Sequence, residues 1–147
     1  MTTCINGLPL PSGLLRAMGE RRWRCPPEFV LRRVFRETPV RAVLHDLEAM
    51  RRANERWIAE TNPAFFGHAD DRLPPGDIEP ARSVILGEIG PDLPFALDYR
   101  VSLEQPAVLY LHSGSDRWIR VARHIDDLLA RLRLDARAAA PSERPRR

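Results

Sequence analysis

The chain has 147 residues, 44% of them hydrophobic and 29% charged, which suits one domain with a tail and is too apolar for a disordered segment. No apolar run approaches the ~20 residues that cross a bilayer, and residues 1–15 lack a basic start followed by a sustained apolar stretch, so the expected site is the cytoplasm, without a membrane. All 23 basic residues are arginine, which weakens arginine number as functional evidence, and the net charge of +3 divides into +4 over residues 1–60, −5 over 61–110 and +4 over 111–147.

Taken in chain order, a Gly- and Pro-rich opening over residues 7–13 leads to Ser12, which can cap a short helix carrying Leu14, Leu15 and Met18. Pro26 and Pro27 suit the first turn of a second helix over 28–36, with Phe29, Val30 and Val34 available for burial. From residue 40 to about 60, Val40, Val43, Leu44, Leu47, Met50, Trp57 and Ile58 recur at three and four, which predicts the longest helix. Residues 62–80, rich in Pro, Gly and Asp, read as a loop joining a helical half to a strand half.

Short runs at 84–89, 95–100, 107–113 and 118–122 predict four strands, and connections this short exclude parallel crossovers. A helix over 123–134 follows, with Ile125, Leu128, Leu129 and Leu132 on one stripe and Asp126 and Asp127 near its start. The expected fold class is thus α+β: a mostly antiparallel sheet of about four to six strands flanked by helices, in a single domain over 1–135 whose strand-rich half is about 83–122. Residues 136–147 read as a disordered tail.

The stretch from about residue 73 to 134, carrying ILGEIGPDLPFALDYR, AVLYL and RWIRVARHIDDLLARL in that order, resembles the SUKH superfamily. That group contains fungal Smi/Knr-type cell-wall assembly regulators and many bacterial toxin-immunity proteins. The resemblance rests on Gly90 and Asp92, Asp98 and Tyr99, Val108, Tyr110 and Leu111, and Trp118, Val121 and Ala122. It departs in the N-terminal half, where Leu8 and Pro9 precede any helix and residues 21–27 have no counterpart.

Strand alternation places Phe95, Leu97 and Tyr99 on a core face together with Leu109, Leu111, Ile119 and Val121. It then places Asp98, Tyr110, His112 and Trp118 together on the opposite face, and Asp92 is a further candidate. A mixed aromatic and carboxylate face of this kind suits protein recognition. In the competing reading a helix covers this face, with Trp118 in the core and Asp98 tied to Arg100 or to a backbone amide.

Other constellations are weaker. Cys4 and Cys25 are too few for a disulfide framework and too distant for a redox pair, which leaves a single bridge open. His45, His68, His112 and His124 show no paired spacing, and the cluster His68, Asp70 and Asp71 is the one metal candidate, better read as a solvated loop. No nucleophile elbow, phosphate loop or dinucleotide fingerprint occurs, so no catalytic residues and no cofactor are expected. Arg21, Arg22 and Arg24 around Trp23, or Arg144, Arg146 and Arg147, are available to nucleic acid, but without a recognised module none is expected to bind it.

The expectation is therefore a non-catalytic protein-binding domain. The resemblance implies an immunity-type protein that neutralises a cognate toxin, with the acidic middle steering a basic partner. A regulatory or housekeeping interaction module of the same fold is the alternative. Neither the partner's identity nor the oligomeric state is legible.

Overall fold

A computed structural model describes residues 3–136 of the chain. Asn6 and Gly7 reverse the chain at positive φ (51° and 81°), the conformation an Asn-Gly pair favours in a two-residue hairpin, and so join β1 (Cys4–Ile5) to β2 (Leu8–Pro9). This hairpin was not among the predicted elements. Tyr99 holds it against the sheet by donating its hydroxyl proton to the Pro9 carbonyl at 2.7 Å.

Helix α1 (Ser12–Gly19) buries Leu14 and Ala17, and its N-cap position is Pro11 rather than Ser12, with no side-chain cap. Helix α2 (Glu28–Phe35) buries Val30, Leu31 and Phe35 and ends at Arg36, which adopts the left-handed conformation. Phe29, expected inside, is 60% exposed, because the burying stripe runs through Val30, Leu31 and Phe35 instead.

The helix expected from residue 40 begins later. Arg41 takes φ 56°, Val43–Leu44 forms the short strand β3, and only then does Asp46 cap α3 (Leu47–Ile58), its carboxylate accepting from the Ala49 N–H at 2.8 Å. Apolar spacing of three and four cannot tell a helical turn from a β-branched segment that pairs with a sheet edge, and here the edge takes precedence.

The predicted strands are all present as β4 (Ser83–Gly90), β5 (Leu93–Asp98), β6 (Ala107–His112) and β7 (Arg117–Ala122), followed by α4 (Ile125–Arg131). They form one antiparallel sheet in the order β3-β4-β5-β6-β7, so the fold is α+β as expected. Both faces of the sheet are covered, which is why its central strands carry apolar side chains at nearly every position. Phe95, Leu97, Val108 and Tyr110 face α1, α2 and α4, in one cluster with Leu14, Phe35 and Leu128. Ile85, Ala96, Leu109, Leu111 and Trp118 face the end of α3 and the 62–80 loop, against Trp57 and Ile78.

Among the described residues no helix is long and apolar enough to cross a membrane. Apart from Ala136, the tail expected over 136–147 lies outside the described residues, as do Arg144, Arg146 and Arg147.

Candidate functional site

The four residues expected to share one recognition face, and Asp92 as the further candidate, are dispersed over three places. Hydrogen-bond register pairs Phe95 with Tyr110 and Leu97 with Val108, so Tyr110 belongs to the helix-covered core and not to the face of Asp98. Tyr110 is 4% exposed and meets the Phe35 ring edge-on at a centroid distance of 5.6 Å. Leu109 and Leu111, expected beside Leu97, lie instead on the opposite face with Trp118. The sequence of β6 is apolar at both parities, so alternation alone assigns no face to it.

Trp118 is fully buried and donates its indole N–H to the Phe65 carbonyl at 2.9 Å, which fastens the 62–80 loop over this face. Asp98 is 8% exposed and holds the Arg100 guanidinium through Nε at 2.9 Å, while the same guanidinium reaches the Asp77 carboxylate at 3.0 Å and its carbonyl at 2.9 Å. Burial works against the Arg100 charge, yet the two carboxylates outweigh it and hold its pKa above the ordinary value. The covered reading of Trp118 and Asp98 is the one the fold adopts. The cover is a loop and the end of a helix rather than a single helix.

His112 is half-buried, its Nδ1 sharing a hydrogen bond with the Ser115 hydroxyl at 3.1 Å and its Nε2 lying 3.8 Å from Glu37. Glu37 accepts from the Ser113 N–H and hydroxyl, both at 2.8 Å, and so ties the β6–β7 turn to the end of α2. Asp92 stands apart, exposed in the β4–β5 turn at φ 62°.

The surface that does bring apolar and charged groups together lies along the edge strand β7. A concavity of about 390 Å³ opens on the α2 side of β7, between Val34, Arg36, Tyr110 and Val121. A second of about 430 Å³ opens on the other side, between Pro74, Asp98, Val101 and Leu109. Leu73, Ile119 and Arg120 line both. Leu73 is 56% and Val101 96% exposed, side chains that water would be better without. Among the described residues Arg36 and Arg120 have no carboxylate within salt-bridge distance. Sequence reading missed this rim because Leu73 and Val101 sit in connections, where periodicity carries no signal.

A smaller hollow of about 150 Å³ lies beside α3, lined by His45, Arg56, Glu60, Glu88 and Asp92. The Nδ1 atom of His45 is buried there without a hydrogen-bond partner, and burial pulls the pKa of this imidazole down. Among the described residues no group of three or more His, Cys, Asp or Glu is placed to hold a metal ion. In the His68 loop, Asp70 accepts from the N–H of Arg72 at 3.0 Å and lies 3.7 Å from Arg117, so its role is to shape the turn.

Three of the eight carboxylates in the acidic middle, Asp70, Asp77 and Asp98, face arginines within the fold. Their field is spent locally, which weakens the expected steering of a basic partner. Trp23 is buried and donates to the His45 carbonyl at 2.8 Å, so the arginines around it offer no exposed ring for stacking. Arg22 is buried as well and donates to the Leu134 carbonyl at 2.9 Å, beyond the C-terminal end of α4. Cys4 and Cys25 are both free thiols. Compared with protein-family models, curated proteins and solved structures, the chain returns no match.

Proposed function

We propose that this chain is a SUKH-type, non-catalytic protein-binding domain of the immunity class, which neutralises a cognate toxin in the cytoplasm by covering part of its surface. The observation that carries the binding reading is the rim along β7, where exposed Leu73 and Val101 flank two concavities beside the guanidinium groups of Arg36 and Arg120. Arginine is enriched in binding hot spots, and exposed apolar side chains beside it mark surface that a partner can cover. The toxin as partner rests on the resemblance of residues 73–134 to the immunity members of that superfamily.

The test is a pull-down from the native cell with tagged full-length chain, run in parallel with the Leu73→Asp/Val101→Asp variant, followed by titration of the purified partner. Retention of a toxin domain by the wild type, with a loss of at least about tenfold in affinity in the variant, supports the proposal. A retained partner without a toxin domain moves the reading to a regulatory module. Equal retention by both proteins, or none by either, overturns it.

A further inference from the structure

The strand β7 is the outer edge of the sheet, and its edge is only partly used. Trp118 exchanges both of its backbone hydrogen bonds with Gly76, accepting at 3.0 Å and donating at 2.9 Å. In an antiparallel ladder the backbone groups of alternate residues point the same way, so the N–H and C=O of Arg120 also face outward. The loop cannot continue the pairing. Counting back from the Gly76–Trp118 bridge places Pro75 and Pro74 opposite Ile119 and Arg120, and neither proline has an N–H to give. Among the described residues no loop backbone bonds to Arg120.

We infer that this edge accepts an extended, acidic-and-apolar segment of a partner protein, added as a strand beside Arg120 with alternate side chains entering the two concavities. The inference rests on the protein-binding reading and specifies its mode. Side chains of an added strand alternate between the two faces of the sheet, and a concavity lies on each face of β7. On one side Leu73, Val101 and Leu109 offer apolar contact. On the other, Arg36 offers positive charge to acidic side chains, and Arg120, which lines both concavities, adds to it. A second copy of this chain is disfavoured as occupant, since two β7 edges meeting antiparallel would bring Arg120 against Arg120, and like charges across a ladder repel.

The probe is a short capped peptide of alternating glutamate and valine, titrated into the isotope-labelled full-length chain and followed by amide resonances, with a lysine-valine peptide as counterpart. The expected result is perturbation centred on residues 118–122, slowed exchange of the Arg120 N–H, and binding of the lysine peptide about tenfold weaker. Arg120→Pro removes the outward N–H at an edge position that tolerates proline, and it should weaken glutamate-peptide binding about tenfold, whereas Arg120→Lys stays within about twofold. The double reversal Arg36→Glu/Arg120→Glu should exchange the preference between the two peptides.

Wild-type binding without protection of Arg120, perturbations centred on the His45 hollow, or no binding overturns strand addition. So does an unweakened Arg120→Pro variant with an intact core spectrum. A partner lost by the Leu73→Asp/Val101→Asp variant but kept by Arg120→Pro overturns strand addition while leaving the protein-binding reading in place. A partner lost by neither removes both.

Discussion

The side chain of Asn54 bonds both backbone groups of Ile85, accepting from its N–H at 2.7 Å and donating to its carbonyl at 2.9 Å. Strand β3 covers β4 only as far as the His45 N–H, which donates to the Leu86 carbonyl, so the next outward pair on that edge has no strand beside it. The carboxamide of a fully buried helical residue supplies one donor and one acceptor in place of that strand. Trp57, one turn further along α3, continues the cover by donating to the Ser83 hydroxyl at 2.9 Å.

Replacing Asn54 by leucine strands a buried N–H and a buried C=O together. With about 1–3 kcal/mol for each unsatisfied group, Asn54→Leu should lower unfolding free energy by at least about 2 kcal/mol in urea titration. Asn54→Asp keeps the acceptor but sets a charge against the Ile85 carbonyl, and it should be no more stable than the leucine variant. A loss below about 0.5 kcal/mol in both would show that water replaces the carboxamide.

Tyr110 lies in the core, against Phe35 and Phe95. Tyr110→Ala should therefore cost about 3–5 kcal/mol, the usual range for truncating a buried aromatic ring, rather than leave the fold intact. Leu97→Ala on the same face and Leu111→Ala on the other should each cost about 2–5 kcal/mol, because both faces are buried. Denaturant midpoints of the three variants measure this directly.

What the sequence discloses follows from how local each signal is. The four long strands and α2 are legible because turn residues bracket them, and Pro27 stands directly before α2, whereas Asp46, the cap of α3, lies inside the helix expected from residue 40. The start of α3 is misread because Val40, Val43 and Leu44 fit a helix and a strand equally well, and the unpaired edge of β4 that decides between them is remote in sequence. Asn6 and Gly7 do announce the first hairpin, a signal overlooked beside the neighbouring prolines. The candidate face fails for a different reason: the 99–106 connection sets which parity of β6 meets Leu97, and Ala-Val-Leu-Tyr-Leu-His is buried either way. The β7 rim depends on where the 62–80 loop crosses the sheet, which the residues of that loop do not encode locally.

Asp98 and Asp77 hold Arg100 from two sides, with the Arg100 side chain 17% and the Asp98 side chain 9% exposed. Asp98→Ala removes one of the two partners and leaves the guanidinium only Asp77, on the loop. The expected cost is about 1–3 kcal/mol, below the full penalty for breaking a buried pair because one carboxylate remains and solvent reaches the site. Asp77→Ala should cost less, and the double variant should exceed the sum of the two, since it alone leaves Arg100 without a carboxylate. Strict additivity in this cycle would show that the two carboxylates act independently of each other and not through a shared guanidinium.

His45 sets a pH dependence whose sign follows from its surroundings. Burial lowers its folded-state pKa from the ordinary 6.5; Glu88 and Asp46 oppose the shift, while Arg56 and Arg52 add to it. The unfolded chain therefore takes up a proton at a higher pH than the folded one. Stability contributed by the neutral ring is fully present above pH 6.5 and declines as pH falls from there through the folded pKa. The backbone of His45 is engaged independently, its N–H bonded to Leu86 and its carbonyl to Trp23, so His45→Gln keeps the pairing of β3. Urea midpoints across the mildly acidic range should fall more steeply for the wild type than for His45→Gln. Parallel profiles would place the pH dependence elsewhere and show that the Nδ1 atom acquires a partner in solution.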